Sequence, residues 1–195
     1  MNPRHVQAFL LITSVLMAQR AEYPGKKILR SPSGRYEIFP KEVPSSEDRH
    51  LFLRNLTSKE ILHLYAFERS VDVLWSPDSR TLAITDYLSS CYGTTYFISL
   101  NNLILRTDID KIILKQFPED DWFMHRYISA KRWLDSNTLE VLVNGHTDET
   151  GKQGTEFQMV YHCTLAGELK RMARLRRLPN QKHFHCFSDP CPIKP

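Results

Sequence analysis

Trp75-Ser76-Pro77-Asp78-Ser79-Arg80-Thr81-Leu82-Ala83-Ile84 is the stretch that decides the fold. Pro77 presets the backbone for the first central position of a turn. Ser76 and Asp78 carry short side chains that bond their own backbone, and a small residue, Ser79, follows. Beyond the turn, Leu82 and Ile84 alternate with smaller residues, the period of a strand with one face buried. The ten residues therefore read as the bend of a β-hairpin.

The pattern recurs on both sides. Upstream stands Leu29-Arg30-Ser31-Pro32-Ser33-Gly34-Arg35-Tyr36-Glu37-Ile38, and downstream Arg132-Trp133-Leu134-Asp135-Ser136-Asn137-Thr138-Leu139-Glu140-Val141, without the proline. Each copy is followed by a second hairpin pattern. These run through His50–Asn55 and Glu60–Tyr65, through Thr94–Leu100 to Asn101-Asn102, and through Glu156–Leu165, an Ala166-Gly167 turn and Glu168–Lys170. About four strands per unit is the size of a propeller blade. Gly34 to Ser79 spans 45 residues and Ser79 to Ser136 spans 57, so the third unit carries an insertion. The insertion reads as helical over about 107–127. Thr107-Asp108-Ile109-Asp110 resembles a capping box, Ile109, Ile112, Ile113 and Phe117 follow at helical spacing, and Pro118 stops the run. A second short helix is expected through Asp121–His125. Insertions on repeat arrays often sit on the functional face.

With its W-S-P-D-S turn and the aromatic-aliphatic strand Tyr96-Phe97-Ile98-Ser99-Leu100, the second unit resembles a WD40-like blade of the TolB type. The resemblance covers about three blades, from Lys27 to roughly Met172, and is best in the second. It implies a mainly all-β, propeller-like fold of antiparallel blades, exported and used as an interaction platform. Propellers close with four to eight blades. About three to four here make an incomplete ring, and its open strand edges need cover, from the insertion, the tail or a second copy of the chain.

The first residues read as a signal peptide over 1–21: basic Arg4 and His5, then the uncharged apolar run Val6–Ala18, with Ala18 or Ala21 the last residue removed. The run is short of the roughly 20 residues a membrane span requires. Residues 22–195 then form a single domain with a net charge of +2, too little to point to a polyanionic partner. Residues 22–167 carry −3 and the segment from Glu168 onward +5. Composition is that of an ordinary globular chain, 42% hydrophobic and 25% charged over 195 residues.

Three clusters could carry chemistry. In an exported chain the even set Cys91, Cys163, Cys186 and Cys191 favours disulfides, with three connectivities open. His183, His185, Cys186 and Cys191, in the Cys-containing tail at about 179–195, have zinc-ligand character, although the two cysteines serve equally as a disulfide loop. Lys170, Arg171, Arg174, Arg176 and Arg177 form a basic run able to hold an anion. It lacks the interleaved aromatics that single-stranded nucleic acid requires. Glu119-Asp120-Asp121 reads as a helix start, His146–Gly154 as a hairpin connection, and Asn55-Leu56-Thr57 as a glycosylation acceptor in form. No G-x-S-x-G, H-E-x-x-H, phosphate loop or G-x-G-x-x-G is present.

The expectation is an exported, non-catalytic interaction module of the cell envelope or extracellular space. It would be periplasmic or extracellular, and would touch the membrane only through its signal peptide. It would bind a protein or glycan rather than nucleic acid, use no cofactor, and form a homodimer if that completes the array. The rival readings are a small metal-dependent hydrolase using the tail and an inhibitor of a secreted enzyme.

Overall fold

The computed structural model describes residues 19–44, 46–101, 106–117, 125–146 and 156–175. In it, the two Ser-Pro turns close with the same set of bonds. Ser76 N–H donates to the Thr81 carbonyl at 2.9 Å and Ser79 N–H to the Ser76 carbonyl at 3.0 Å; Ser31 and Gly34 repeat both bonds to Tyr36 and Ser31 at 2.9 Å. The Ser76 and Ser31 hydroxyls accept from the amides of Thr81 and Tyr36 at 2.9 and 3.1 Å. Ser79 and Gly34 occupy the same left-handed position, with φ of 62° and 69°. The third turn is one residue shorter, because Leu134 N–H meets the carbonyl of Thr138. There the Asp135 carboxylate accepts from the amides of Asn137 and Thr138 at 2.7 and 2.8 Å, and so does the work of the missing proline.

Each turn opens a blade. The first comprises β2 (Leu29–Arg30), β3 (Tyr36–Lys41), β4 (Arg49–Asn55) and β5 (Ile61–Phe67). The second comprises β6 (Val71–Trp75), β7 (Thr81–Asp86), β8 (Tyr92–Ser99) and β9 (Arg106–Asp108), with β1 (Arg20–Tyr23) added beside β6. The third comprises β10 (His125–Trp133), β11 (Thr138–His146), β12 (Glu156–Thr164) and β13 (Leu169–Leu175). Pairing within a blade is antiparallel. A short parallel rung, Arg126 to Tyr92 and Tyr127 to Gly93, joins the third blade to the second. The architecture is mainly β, propeller-like, and its ring is not closed. β1 takes in Arg20 and buried Ala21, so the strand crosses the boundary expected at residue 21.

Side-chain parity divides the core into two seams, since successive residues of a strand point to opposite faces. Val71, Val73 and Trp75 of β6, Leu82 and Ile84 of β7, and Ile98 of β8 turn toward the first blade, where they meet Ile38, Leu51, Leu53, Leu64 and Phe67. Leu74, Ala83 and Phe97 turn the other way and meet Ile128, Trp133, Leu139, Val141, Val143, Met159 and Tyr161 of the third blade. The second blade is thus buried on both faces, which is why β6 and β7 have no exposed residue. Burying a side chain such as Leu or Ile contributes about 1.5–3 kcal/mol, and these two seams carry most of that gain.

The insertion folds as one helix among the described residues, α1 (Ile109–Gln116). It starts later than the sequence pattern indicates: Thr107 and Asp108 end β9, and the Asp108 carboxylate caps the helix by accepting from Asp110 N–H at 3.0 Å. Ile109 and Ile113 are buried in the second seam, and Ile112 and Phe117 pack beside them. The Gln116 amide donates to the Gly167 carbonyl at 2.8 Å and accepts from Leu169 N–H at 3.2 Å, fastening the helix to the β12–β13 turn. The insertion therefore plugs a seam. Most of the second helix expected at 121–125 lies outside the described residues, and His125 begins β10.

Candidate functional site: the open flanks of the array

Among the described residues, the core clusters cover the flanking blades on one face only. On the outer face of the first blade, Phe39 of β3 and Phe52 of β4 stand opposite one another, their ring centroids 6.1 Å apart. Neither belongs to a core cluster. The Arg54 guanidinium lies 4.6 Å over Phe39 and the Lys41 ammonium 5.6 Å over Phe52, a favourable use of the ring faces. Arg54 also pairs with Glu37 at 2.6 Å. Beside Phe52, His50 Nδ1 of β4 and His63 Nε2 of β5 form a 2.9 Å hydrogen bond, and Phe52 meets the His63 ring edge-on at 5.3 Å. Ile61, 48% exposed, extends this face.

A bulge places the two histidines. The β4–β5 register slips between Leu51 and Phe52, so Leu51 faces Tyr65 while Phe52 faces His63. The extra residue, Leu64, goes inward with Tyr65, both buried, and His63 is left outside. Burial first, then the neighbouring His50 and the Arg106 guanidinium, hold the His63 imidazole below its ordinary pKa. Its ring is therefore neutral at pH 7.

The outer face of the third blade carries a polar cluster beside the half-buried Leu142 and Val160. Arg132 of β10 grips Glu140 of β11 with two bonds of 3.0 and 3.2 Å, and His162 of β12 stands 3.5 Å from the same carboxylate. Hydrogen bonding from Arg132 holds the Glu140 carboxyl below its usual range.

A third set of polar groups gathers at one end of the sheet. Asp72 bonds Arg20 and Tyr87. Asp86 accepts from the Tyr65 hydroxyl at 2.8 Å. Asp110 pairs with Arg126 and accepts from Tyr92, both at 2.6 Å. These groups bond across strands and seams, the pattern of structural ties, and the second oxygen of Asp86, Oδ1, is buried without a hydrogen bond among the described residues. A small recess at the turn end of the first seam, lined by Tyr36, Leu53, Asn55, Glu60, Leu62 and Leu100, brings no nucleophile and base together.

The residues singled out from the sequence fare unevenly. Cys91 and Cys163 are buried thiols and are not joined to each other. Burial pushes the Cys163 thiol up to about 12. Cys186, Cys191, His183 and His185 lie outside the described residues, as do Arg176 and Arg177. The basic run is divided by strand alternation. Lys170 is exposed, opposite His162, whereas Arg171 turns inward and lays its guanidinium 4.2 Å over Phe117 and 5.9 Å over Tyr161. Arg174 is placed on β13 by its backbone. Among the described residues, no three His, Cys, Asp or Glu side chains converge as a metal-binding group.

No family model and no curated protein matches the chain. Its likeness is to solved structures. The β-propeller domain of the Trilobed protease from Pyrococcus furiosus, which has an open velcro topology, aligns over 76% of this chain and 43% of its own, at 16% identity and a TM-score of 0.51. One of two structurally analysed prolyl endopeptidases aligns over 78% of this chain and 28% of its own, at 11% identity and a TM-score of 0.41. The chain thus spans less than half the length of either, and the first likeness shows the fold alone.

Proposed function

We propose that this chain is an exported, non-catalytic binding module whose outer first-blade face docks a partner protein. The observation that carries the reading is the contrast between equivalent faces. The second blade is covered on both sides by packed sheet faces, while among the described residues the Phe39–Phe52 pair, Ile61 and the two histidines of the first blade lie outside both core clusters. Aromatic residues with ordered cations above them make a compact anchor at low entropic cost. A sheet face of a partner continues the face-to-face packing already present at both seams. Export rests on the N-terminal apolar run. β1 favours Ala18 over Ala21 as the last residue removed, since cleavage after Ala21 takes away Arg20, the partner of Asp72, and half of the strand.

The test is site-specific photo-crosslinking from position 52 of the full-length chain in the cells that make it. A protein adduct of defined mass is expected, absent when the probe sits at exposed Lys170 and lost on Phe39→Asp. An adduct to glycan only, or no adduct, overturns the docking reading. A turnover activity abolished by one polar-to-Ala change overturns the non-catalytic one. N-terminal sequencing of the same protein is expected to begin at Gln19, and an intact Met1 overturns cleavage.

A further inference from the structure

We propose that His50 and His63 form a two-imidazole binding site for a tetragonal divalent transition metal ion of the Ni(II) or Cu(II) class. The two ring nitrogens that face each other, His50 Nδ1 and His63 Nε2, are 2.9 Å apart. They come from adjacent strands and are brought together by the β4–β5 bulge, a device that re-aims side chains. Two imidazole nitrogens bound at about 2.0–2.1 Å stand roughly 2.9 Å apart when they subtend a right angle at the ion, and roughly 3.3 Å apart at a tetrahedral angle. The observed separation fits the right angle, which is the preference of square-planar and tetragonal ions rather than of zinc.

The surroundings suit a metal as well as a hydrogen bond. With one proton on each ring, the donor ring of the resting pair holds its proton on the facing nitrogen and its second nitrogen is bare. An arriving ion binds once that proton has moved to the donor ring's second nitrogen, which frees both facing nitrogens to ligate with no net release of a proton. The nearby cations are already engaged: Arg54 with Glu37 and Phe39, Lys41 over Phe52, and Arg106 with the Leu64 carbonyl and over the Tyr65 ring. The edge-on Phe52 ring limits His63 on one side, while His63 itself is exposed. The remaining coordination positions therefore open toward solvent or toward a docked partner's donor. The site stands on strand geometry and is independent of the docking proposal, although it lies on the same face.

The probe is Ni(II) alone, titrated calorimetrically into the full chain with melting curves recorded in parallel. Because His183 and His185 lie in the tail, and His125 and His146 share a rung, the readout is what the variants lose. The expected result is a Ni(II) site and a Ni(II)-induced rise in Tm in the wild type and in the H183A/H185A variant. Both are absent in H63A and in H50A, and His162→Ala retains both. His63 is exposed, so H63A is expected to keep the wild-type far-UV spectrum; if H50A misfolds, H63A alone decides. Equal Ni(II) binding by wild type and H63A, or no Ni(II) site in the wild type, overturns the proposal.

Discussion

The Tyr65 hydroxyl of β5 donates a 2.8 Å hydrogen bond to Oδ2 of Asp86 on β7, tying the first blade to the second inside their common core. Asp86 is only 2% exposed. Burial, with a further contribution from Glu68, holds its carboxyl above the ordinary range, and the Tyr65 bond pulls it partway back. Tyr65→Phe leaves a buried carboxylate without its donor. It should cost about 1–3 kcal/mol at pH 7, read from urea unfolding, and less at acid pH, where Asp86 is neutral.

The same pair sets a pH dependence. The folded state binds the Asp86 proton more tightly than the unfolded chain does, so the stabilisation from this group is fullest below the unfolded pKa near 4. It is lost as pH rises through the higher folded value. Asp86→Asn should flatten that part of the Tm-versus-pH curve. An unchanged curve would remove Asp86 as its source.

At the second seam, Arg126 and Asp110 form a buried ion pair at 2.6 Å, with Tyr92 on the same carboxylate. Arg126→Leu strands Asp110 and should destabilise by about 3–5 kcal/mol. The Arg126→Leu/Asp110→Asn double variant should recover part of that loss. A double-mutant cycle by chemical denaturation gives the coupling, and strict additivity would mean that the pair does not hold α1 to β10.

Two glycines should respond differently to alanine. Gly34 has open space around its Cβ position but a φ of +69°, so Gly34→Ala should cost about 1–2 kcal/mol from backbone strain alone. Gly145 faces the backbone carbonyl of His125, where an added Cβ would fall. Gly145→Ala must displace β10 from β11 and should cost at least as much, in the range of about 1–3 kcal/mol for overpacking. Hydrogen exchange in β10 and β11 should rise for the second variant only.

Cys91 and Cys163 are 2% and 0% exposed. Neither should be alkylated by iodoacetamide in the native protein, because the reactive species is the thiolate and burial suppresses it at Cys163. Both should be alkylated in denaturant without any reductant. Protection that persists in denaturant would show instead that they are held in disulfides with the tail.

Much of the architecture could be read from local sequence. The Ser-Pro turns, the alternation after them and the helix over Ile109–Gln116 depend on residues within a few positions of each other, and the bonds of the first turn recur in the second. What could not be read is pairing that joins distant strands. The bulge opposite Leu51 has no signature in the β4 or β5 sequence, yet it decides that His63 meets His50 rather than facing the core. His50 and His63 are 13 residues apart and flank an ordinary turn, so the pair was missed. The basic run shows the converse. Lys170 and Arg171 are adjacent in sequence, but strand alternation sends one to solvent and the other onto Phe117.

The sequence by itself determined the blade repeat and the place of the insertion, because turn chemistry and a period of two are properties of short segments. The tertiary structure alone decided that the middle blade is buried on both faces and that the helix fills a seam. It also decided that, among the described residues, an aromatic and histidine surface lies outside the core clusters at one end. Those outcomes follow from packing between sheet faces, and no single strand carries the information about which neighbour its face will meet.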